Sequence, residues 1–562
     1  MSVNREEGGL FFSWEDKIGV EGINQRASQA QRRYRELTNF NWKRTGALTK
    51  DRGLRRVSTS TLENGSHDTV AGFDAHFNDG THKVLIFQET ATAVDVYELD
   101  SSRAYSKHSN PSLAKVTPSV MQFANKVVIF DGTTLRTMDG SRNWATPGNS
   151  LSNPCKFGTV YANRLIASGN STYPQTFFPS GIRDAGEWDG ANSVAVTGVQ
   201  GELIESVGRC GPYLVVGGRN FTRVYYLGTA SARDWDWDSL SETTGPISFK
   251  SFVDVSLSRG NETQDYAFFW GTEGPMMIAY SGGGLPVLHS LWEPLQYAIS
   301  GENYEEVPAM EVSNFTDIVA SWIPETREIR FGFATQGQSG TPKNNAFWCL
   351  DFDSAVGYAN SSGKIYPAWR LRNNPNMDEF PASTIFLATL HPVNGIVDSD
   401  GKRKALCARN GSVYEMDSPT TYLDGVSPDG TGGVEMPATV HRDGFTGEED
   451  GVRDWVKSCD HVHIQTSTPG NFNLFVNVTA DGGGSSVIDE ANLSGGLTVW
   501  SESAEDGTWG EGRWNASDVL PLRTEHGTMG RRFSLNIYDN GNCTSELNLY
   551  SWTLQGFVED QR

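Results

Sequence analysis

The chain has 562 residues, including 60 glycines, with 11% aromatic side chains and a formal net charge of −22. Such a length exceeds one ordinary core, and so acidic a balance excludes a surface built to grip nucleic-acid phosphate. Abundant glycine and aromatics suit many short strands joined by tight turns rather than long helices, and no apolar run is long enough for a membrane-spanning helix.

Residues 1–56 hold twelve Lys/Arg against seven Asp/Glu, a net of +5, which leaves −27 on the rest of the chain. This strip reads as a basic N-terminal arm, irregular except for a short helix expected over residues 27–37. Two roles stay open for it: a solvated arm, or one that docks on an acidic neighbour such as the next copy of the same protein. Arg32, Arg33 and Arg35, which flank Tyr34 and Leu37, are the candidate assembly contacts. Its first residues, Met-Ser-Val-Asn-Arg-Glu-Glu, lack the apolar stretch of a signal peptide.

Residues 57–425 carry seven short apolar segments with one plan, a strand, a tight turn and a second strand. They are 83–87 (KVLIF), 126–130 (KVVIF), 164–167 (RLIA), 213–216 (YLVV), 266–270 (YAFFW), 328–333 (EIRFGF) and 404–408 (KALCA). Recurrence at about 40 to 75 residues is the mark of a repeat architecture, and four-stranded propeller blades recur on that scale. Turn signals sit between the strands at Asp131-Gly132, Asp139-Gly140, Gly217-Gly218, residues 282–284 and Asn410-Gly411. The expectation is an all-β chain with a β-propeller of six to seven blades.

The stretch 417–433, rich in Ser, Pro, Gly and Asp, reads as a linker. Residues 426–562 then alternate. Phe472, Leu474, Val476 and Val478 share a face, as do Phe533, Leu535 and Ile537, and Leu547 and Leu549 lead into Trp552 and Leu554. Half-buried antiparallel strands of this kind predict an appended C-terminal β-sandwich-like domain.

Chemistry is sparse. Cys459, His461 and His463 alternate along one strand, but three ligands without a fourth do not make a structural zinc site. Asp234, Asp236 and Asp238 alternate with tryptophans but lack the glycine and glutamate of a calcium loop, and Asp398 with Asp400-Gly401 reads as a hairpin turn. Residues 503–509 (SAEDGTW) approach the Asp-box of sialidase-like propellers, one residue short and only once. No phosphate-binding glycine loop and no nucleophile elbow occurs. The six cysteines include no Cys-x-x-Cys pair, which points to free thiols and a cytosolic setting. The sequence therefore assigns no catalytic, metal or cofactor-binding residues, and no enzyme is expected.

Ordered landmarks carry a family resemblance. They are Gly22-Ile23-Asn24, Glu36-Leu37-Thr38-Asn39, Gly46-Ala47-Leu48 and Arg52-Gly53, then residues 211–218 followed by Val224-Tyr225-Tyr226-Leu227-Gly228. Gly245-Pro246-Ile247-Ser248 follows, and the series ends at 530–535 (GRRFSL), Trp552 and Gly556-Phe557. In this order the chain resembles the tail hub or nozzle proteins of short-tailed bacteriophages. The resemblance implies a virion protein assembled in the host cytoplasm, forming a homohexameric ring below the portal and its adaptor. It implies contacts with tail fibre or needle proteins, genomic DNA passing through an acidic lumen without sequence-specific binding, and retention of packaged DNA until infection. Two other readings stay open on sequence: a carbohydrate-binding or sialidase-like propeller, and a generic protein-interaction propeller.

Overall fold

The computed structural model describes residues 2–17 and 34–560 apart from 392–402, 446–455, 493–518 and shorter stretches between them. Seven successive antiparallel blades, each with a run of four strands at its core, follow one another along the chain. Their innermost strands are Thr69–His76, Ser119–Phe123, Phe157–Tyr161, Ser206–Cys210, Val253–Arg259, Val319–Ile323 and Thr384–Thr389, of blades 1 to 7. Each innermost strand packs against that of the next blade, and the seventh packs against the first, which closes a ring. This is a seven-bladed β-propeller.

All seven apolar segments read from the sequence are the second strands of their blades. A second strand lies between neighbours within its sheet and is covered on both faces by adjoining blades, so it reads as a continuous apolar run. In blade 1, Val84 and Ile86 face the seam with blade 7, while Leu85 and Phe87 face the seam with blade 2. The core is thus a ring of seams, each with its own apolar cluster, rather than one centre. Glycine permits close packing at the inner strands: a Cβ on Gly72 would overlap the Phe386 ring of blade 7, and one on Gly208 would overlap Phe252 of blade 5.

The expected turns hold with one shift. Asn410 and Gly411 both take positive φ (46° and 73°) between strands of blade 7, as a two-residue hairpin requires. Gly217 and Gly218 instead end the strand Tyr213–Gly218, and the turn follows them. Gly217 is needed because Pro246 lies against it, and a Cβ there would overlap the proline ring.

The segment read as an arm is woven into the rest of the chain. Gly9–Lys17 pairs with Asn548–Asp560, and Ser2–Glu6 pairs with Gly9–Lys17. Tyr34–Thr38 is a strand, not the end of a helix; it joins Trp369–Arg372 of blade 6 to Ala438–Phe445. Tyr34 and Leu37 are buried, Tyr34 against the Trp552 edge and under the Arg442 guanidinium, and this long-range packing overrides the local helical pattern. Arg55–Arg56 pairs with Ser412–Glu415 as the outer strand of blade 7. Two basic residues of the segment find acidic partners inside the fold, Lys50 at Asp539 and Arg55 at Glu415.

The C-terminal strands form two facing sheets. One orders Ser2–Glu6, Gly9–Lys17, Asn548–Asp560, Val456–Ser467 and Val519–Gly530; the other continues blade 6 through Tyr34–Thr38, Ala438–Phe445, Phe533–Asp539, Asn473–Ala480 and Val487–Asn492. Leu474, Val476, Val478, Phe533, Leu535 and Ile537 are buried between them, as their alternation predicted; Phe472 lies outside the described residues. Leu549 and Trp552 both point inward despite their odd spacing, because the register shifts between them. Propeller and sandwich therefore share one nine-stranded sheet and one apolar cluster.

The stretch 417–433 is packed rather than loose. Leu423–Asp424 pairs with Val434–Glu435, and Ser418 and Asp424 are fully buried. The reason is ionic. Arg330, Arg370 and Arg372 of blade 6 are fully buried among Glu328, Asp51, Asp417 and Asp424. Glu328 accepts from Arg330 Nη2 at 2.8 Å and Arg370 Nε at 2.6 Å, Arg370 also meets Asp51, and Asp424 accepts from the Leu54 amide at 2.9 Å. Burial would raise the Glu328 carboxyl, but Arg370 and Arg330 outweigh it and hold it at about 2.

Removing one member of a buried charge cluster leaves its partners uncompensated, at a cost of about 3–5 kcal/mol. Arg370→Met is expected to destabilise by that order in chemical denaturation, and adding Glu328→Gln should recover part of the loss. Strictly additive effects in that double-mutant cycle would contradict the coupling.

Candidate functional site: the propeller channel and its rim

The inner strands enclose an axial channel with a cavity volume of about 430 Å³, lined by every blade from Ala71 of blade 1 to Ile385 of blade 7. Its charged side chains are paired across blades: Arg209 Nη2 lies 2.8 Å from Asp254 Oδ2. A second cavity of about 450 Å³ opens where the inner strands begin, with Asp68, Lys115, Lys250, Asp317 and Lys343 around it. Lys250 pairs with Asp317 at 2.6 Å and Lys343 with Asp68 at 2.8 Å, and Glu89 and Lys115 add one charge of each sign. A mouth of mixed charge has no strong field of one sign with which to draw an ionic ligand.

At the other end of the inner strands the hairpin of blade 1 carries a compact polar cluster. His76 and His82 are directly opposite across the antiparallel pair, and Asp74 lies two residues before His76, so all three project from one face. The Asp74 carboxylate is buried; His82 Nε2 meets its Oδ1 at 2.5 Å and His76 Nε2 its Oδ2 at 3.1 Å. Blade 7 supports the same carboxylate, through the Thr389 amide at 3.1 Å and its hydroxyl at 3.3 Å. Burial would raise Asp74, yet the hydrogen bonds from His82 and His76 win and hold it below the usual carboxylate range. The two imidazoles stack at 4.5 Å, and His391 of blade 7 places its ring 5.1 Å from His82. Burial and His82 depress the His391 pKa.

This cluster was not singled out in the sequence. Its signal was there: Asp74, His76 and His82 flank the hairpin turn of DAHFNDGTH, where strand pairing brings the two histidines together. The groups that were singled out do not converge. A register shift at Asp460 sends Cys459 to the core with Val462 and Ile464, while His461 and His463 take the other face. Trp235 is buried, but Asp236 and Trp237 are exposed on the outer strand of blade 4, with the Arg223 guanidinium 4.0 Å from the Trp237 ring. Residues 503–509, Asp398 and Asp400-Gly401 lie outside the described residues, as do Arg32 and Arg33; of Arg35 only its place in the strand Tyr34–Thr38 is described. All six cysteines are buried, and burial pushes the Cys155, Cys210, Cys349 and Cys459 thiols up to about 12.

The chain is therefore an all-β protein, a propeller with an appended sandwich. No family model and no curated protein matches the sequence. Solved structures match in shape. BamB from Moraxella catarrhalis is 12% identical, with 65% of this chain and 99% of that one covered at a TM-score of 0.32. The propeller domain of Cps50 (Swd1) from Myceliophteria thermophila is 11% identical, with 64% and 98% covered at 0.35. A protein from Lactobacillus plantarum is 11% identical, with 58% and 92% covered at 0.34. None of the three bears on what this chain binds or does.

Near the same rim, Glu98 joins blade 1 to blade 2. It lies 2.9 Å from Arg142, and Lys83 and His108 are each within 3.3 Å. Burial raises this carboxyl, but His108, Arg142 and Lys83 outweigh it and bring it to about 2. Because its folded pKa is depressed, the stability it contributes is present above about pH 4.5 and is lost as pH falls toward about 2. Thermal melts across that range should show wild type losing more stability than Glu98→Gln; parallel pH profiles would contradict the assignment.

Proposed function

We propose that this chain is a structural subunit of a ring-shaped conduit, of the kind that forms the nozzle or hub of short-tailed phage tails. The observation that carries the reading is the shared nine-stranded sheet, through which blade 6 and the sandwich form one continuous body. A wall element that must hold shape under load gains from such a junction, because a hinge between domains would need to break strand pairing.

The channel of a single propeller is narrow and lined by paired charges, so the conduit lies between copies, six in number on this reading. A body of net charge −22 supports it: an acidic lumen repels phosphate and lets DNA slide rather than bind. The ring contacts a portal adaptor above and fibre or needle proteins below, within a virion tail assembled in the host cytoplasm. Ring contacts of this type are heterologous, with closure set by the rotation between neighbours.

Negative-stain electron microscopy of the purified protein at high concentration, alone and with the adaptor, tests the proposal. Closed rings with a central opening support it; isolated discs under every condition, adaptor included, reject it. Arg32, Arg33 and Arg35 are the proposed assembly contacts. Replacing all three by Glu should weaken ring formation at least several-fold while leaving the thermal transition in place. Unchanged assembly would remove them from the interface.

A further inference from the structure

We propose that Asp74, His76 and His82 of blade 1, completed by His391 of blade 7, bind a divalent transition metal of the zinc class that staples the closing seam of the propeller. The ligand atoms of Asp74, His76 and His82 all lie within 4.8 Å of one another. Two imidazole Nε2 atoms converge on the two oxygens of one buried carboxylate, and imidazole nitrogen with carboxylate oxygen is a donor set that suits zinc. Among the described residues this is the grouping of possible ligands that comes together.

The surroundings resemble an outer shell rather than a chance surface contact. The Thr389 amide and hydroxyl orient the carboxylate from the neighbouring blade, as outer-shell donors do at metal centres. The hairpin register places His76 opposite His82 without relying on side-chain flexibility. His391 is the proposed fourth donor: its ring centroid lies 5.1 Å from that of His82, outside the group of Asp74, His76 and His82, so its side chain must turn inward for four ligands to close a tetrahedral structural site. Arg403 Nε stands 3.7 Å from Asp74 Oδ2 on a largely exposed side chain, so it can swing into solvent when a cation takes its place. His76 is more than half exposed, which leaves an entry path.

The location gives the ion a structural role. Blade 1 and blade 7 are the first and last blades of the ring, and among the described residues packing and polar contacts join them at this rim. An ion held from both sides cross-links residues 74–82 to residue 391, and a ligand that binds only the closed ring stabilises it by mass action.

The test uses the full-length protein, stripped with EDTA and dialysed, and is independent of ring assembly. Calorimetry with Zn²⁺ should show one equivalent, Co²⁺ should give the visible absorption of a tetrahedral site, and Zn²⁺ should raise the melting transition by several degrees. His76→Gln, at an exposed position that leaves packing intact, should weaken binding at least about tenfold and remove the melting shift. His391→Gln should weaken binding and abolish the tetrahedral cobalt bands, whereas His461→Gln with His463→Gln should change nothing. Absence of a cobalt spectrum and of a melting shift in wild type would overturn the proposal. So would undiminished binding in His76→Gln.

Discussion

The buried cluster of Arg330, Arg370 and Arg372 with Glu328, Asp51, Asp417 and Asp424 is the constraint on which the rest of the structure hangs. None of these charges can be withdrawn from water singly without a penalty of several kcal/mol. They come from blade 6, from the segment before blade 1 and from the segment after blade 7. Their mutual requirement therefore fixes three distant parts of the chain at once. It also explains why the strand Arg55–Arg56 reaches blade 7, since Leu54 donates its amide to Asp424 one residue earlier. Where hydrophobic seams between blades are alike and interchangeable in character, this cluster is specific to one place in the ring.

How much of this was legible follows from where each strand is buried. The second strands announce themselves because both faces meet apolar seams, as Val127, Val128, Ile129 and Phe130 do in blade 2. Innermost strands mix channel-facing and seam-facing residues, as in SVMQF and FGTVY, and the outer strands are as short as Trp144–Ala145, so neither stands out. The sandwich strands around Val476 and Leu535 were legible by plain alternation. The fate of the first 56 residues was not, because Gly9–Lys17, Tyr34–Thr38 and Arg55–Arg56 each pair with strands hundreds of positions away and leave no local period. The charged cluster was invisible for the same reason: Arg370 and Asp51 are 319 residues apart.

Several described landmarks behind the phage-tail resemblance are packing points. A Cβ at Gly53 would overlap the Leu423 carbonyl, one at Gly245 would overlap the Phe221 and Gly218 carbonyls, and one at Gly556 would overlap the Ser458 carbonyl. Pro246 rests on Gly217, so the two central landmarks touch each other. These residues hold strands and turns in close contact. Sequence motifs of this sort speak to fold before function, which is why the reading as a conduit rests on the continuity of the sheet and on charge. Conversely, the Asp74 cluster, which belongs to no landmark, is the chemically denser feature.

The pairing of Gly9–Lys17 with Asn548–Asp560 has a consequence for how the molecule is made. Gly9–Lys17 can pair at once with Ser2–Glu6, but its other edge has no partner until Asn548–Asp560 has been made. The same holds in part for Arg55–Arg56, which waits for Ser412–Glu415. Blades 2 to 5 are built from consecutive strands and can form during synthesis, but ring closure and the sandwich are obligatorily late. The nascent chain thus carries unpaired strand edges through most of its elongation, a state prone to pairing with other chains.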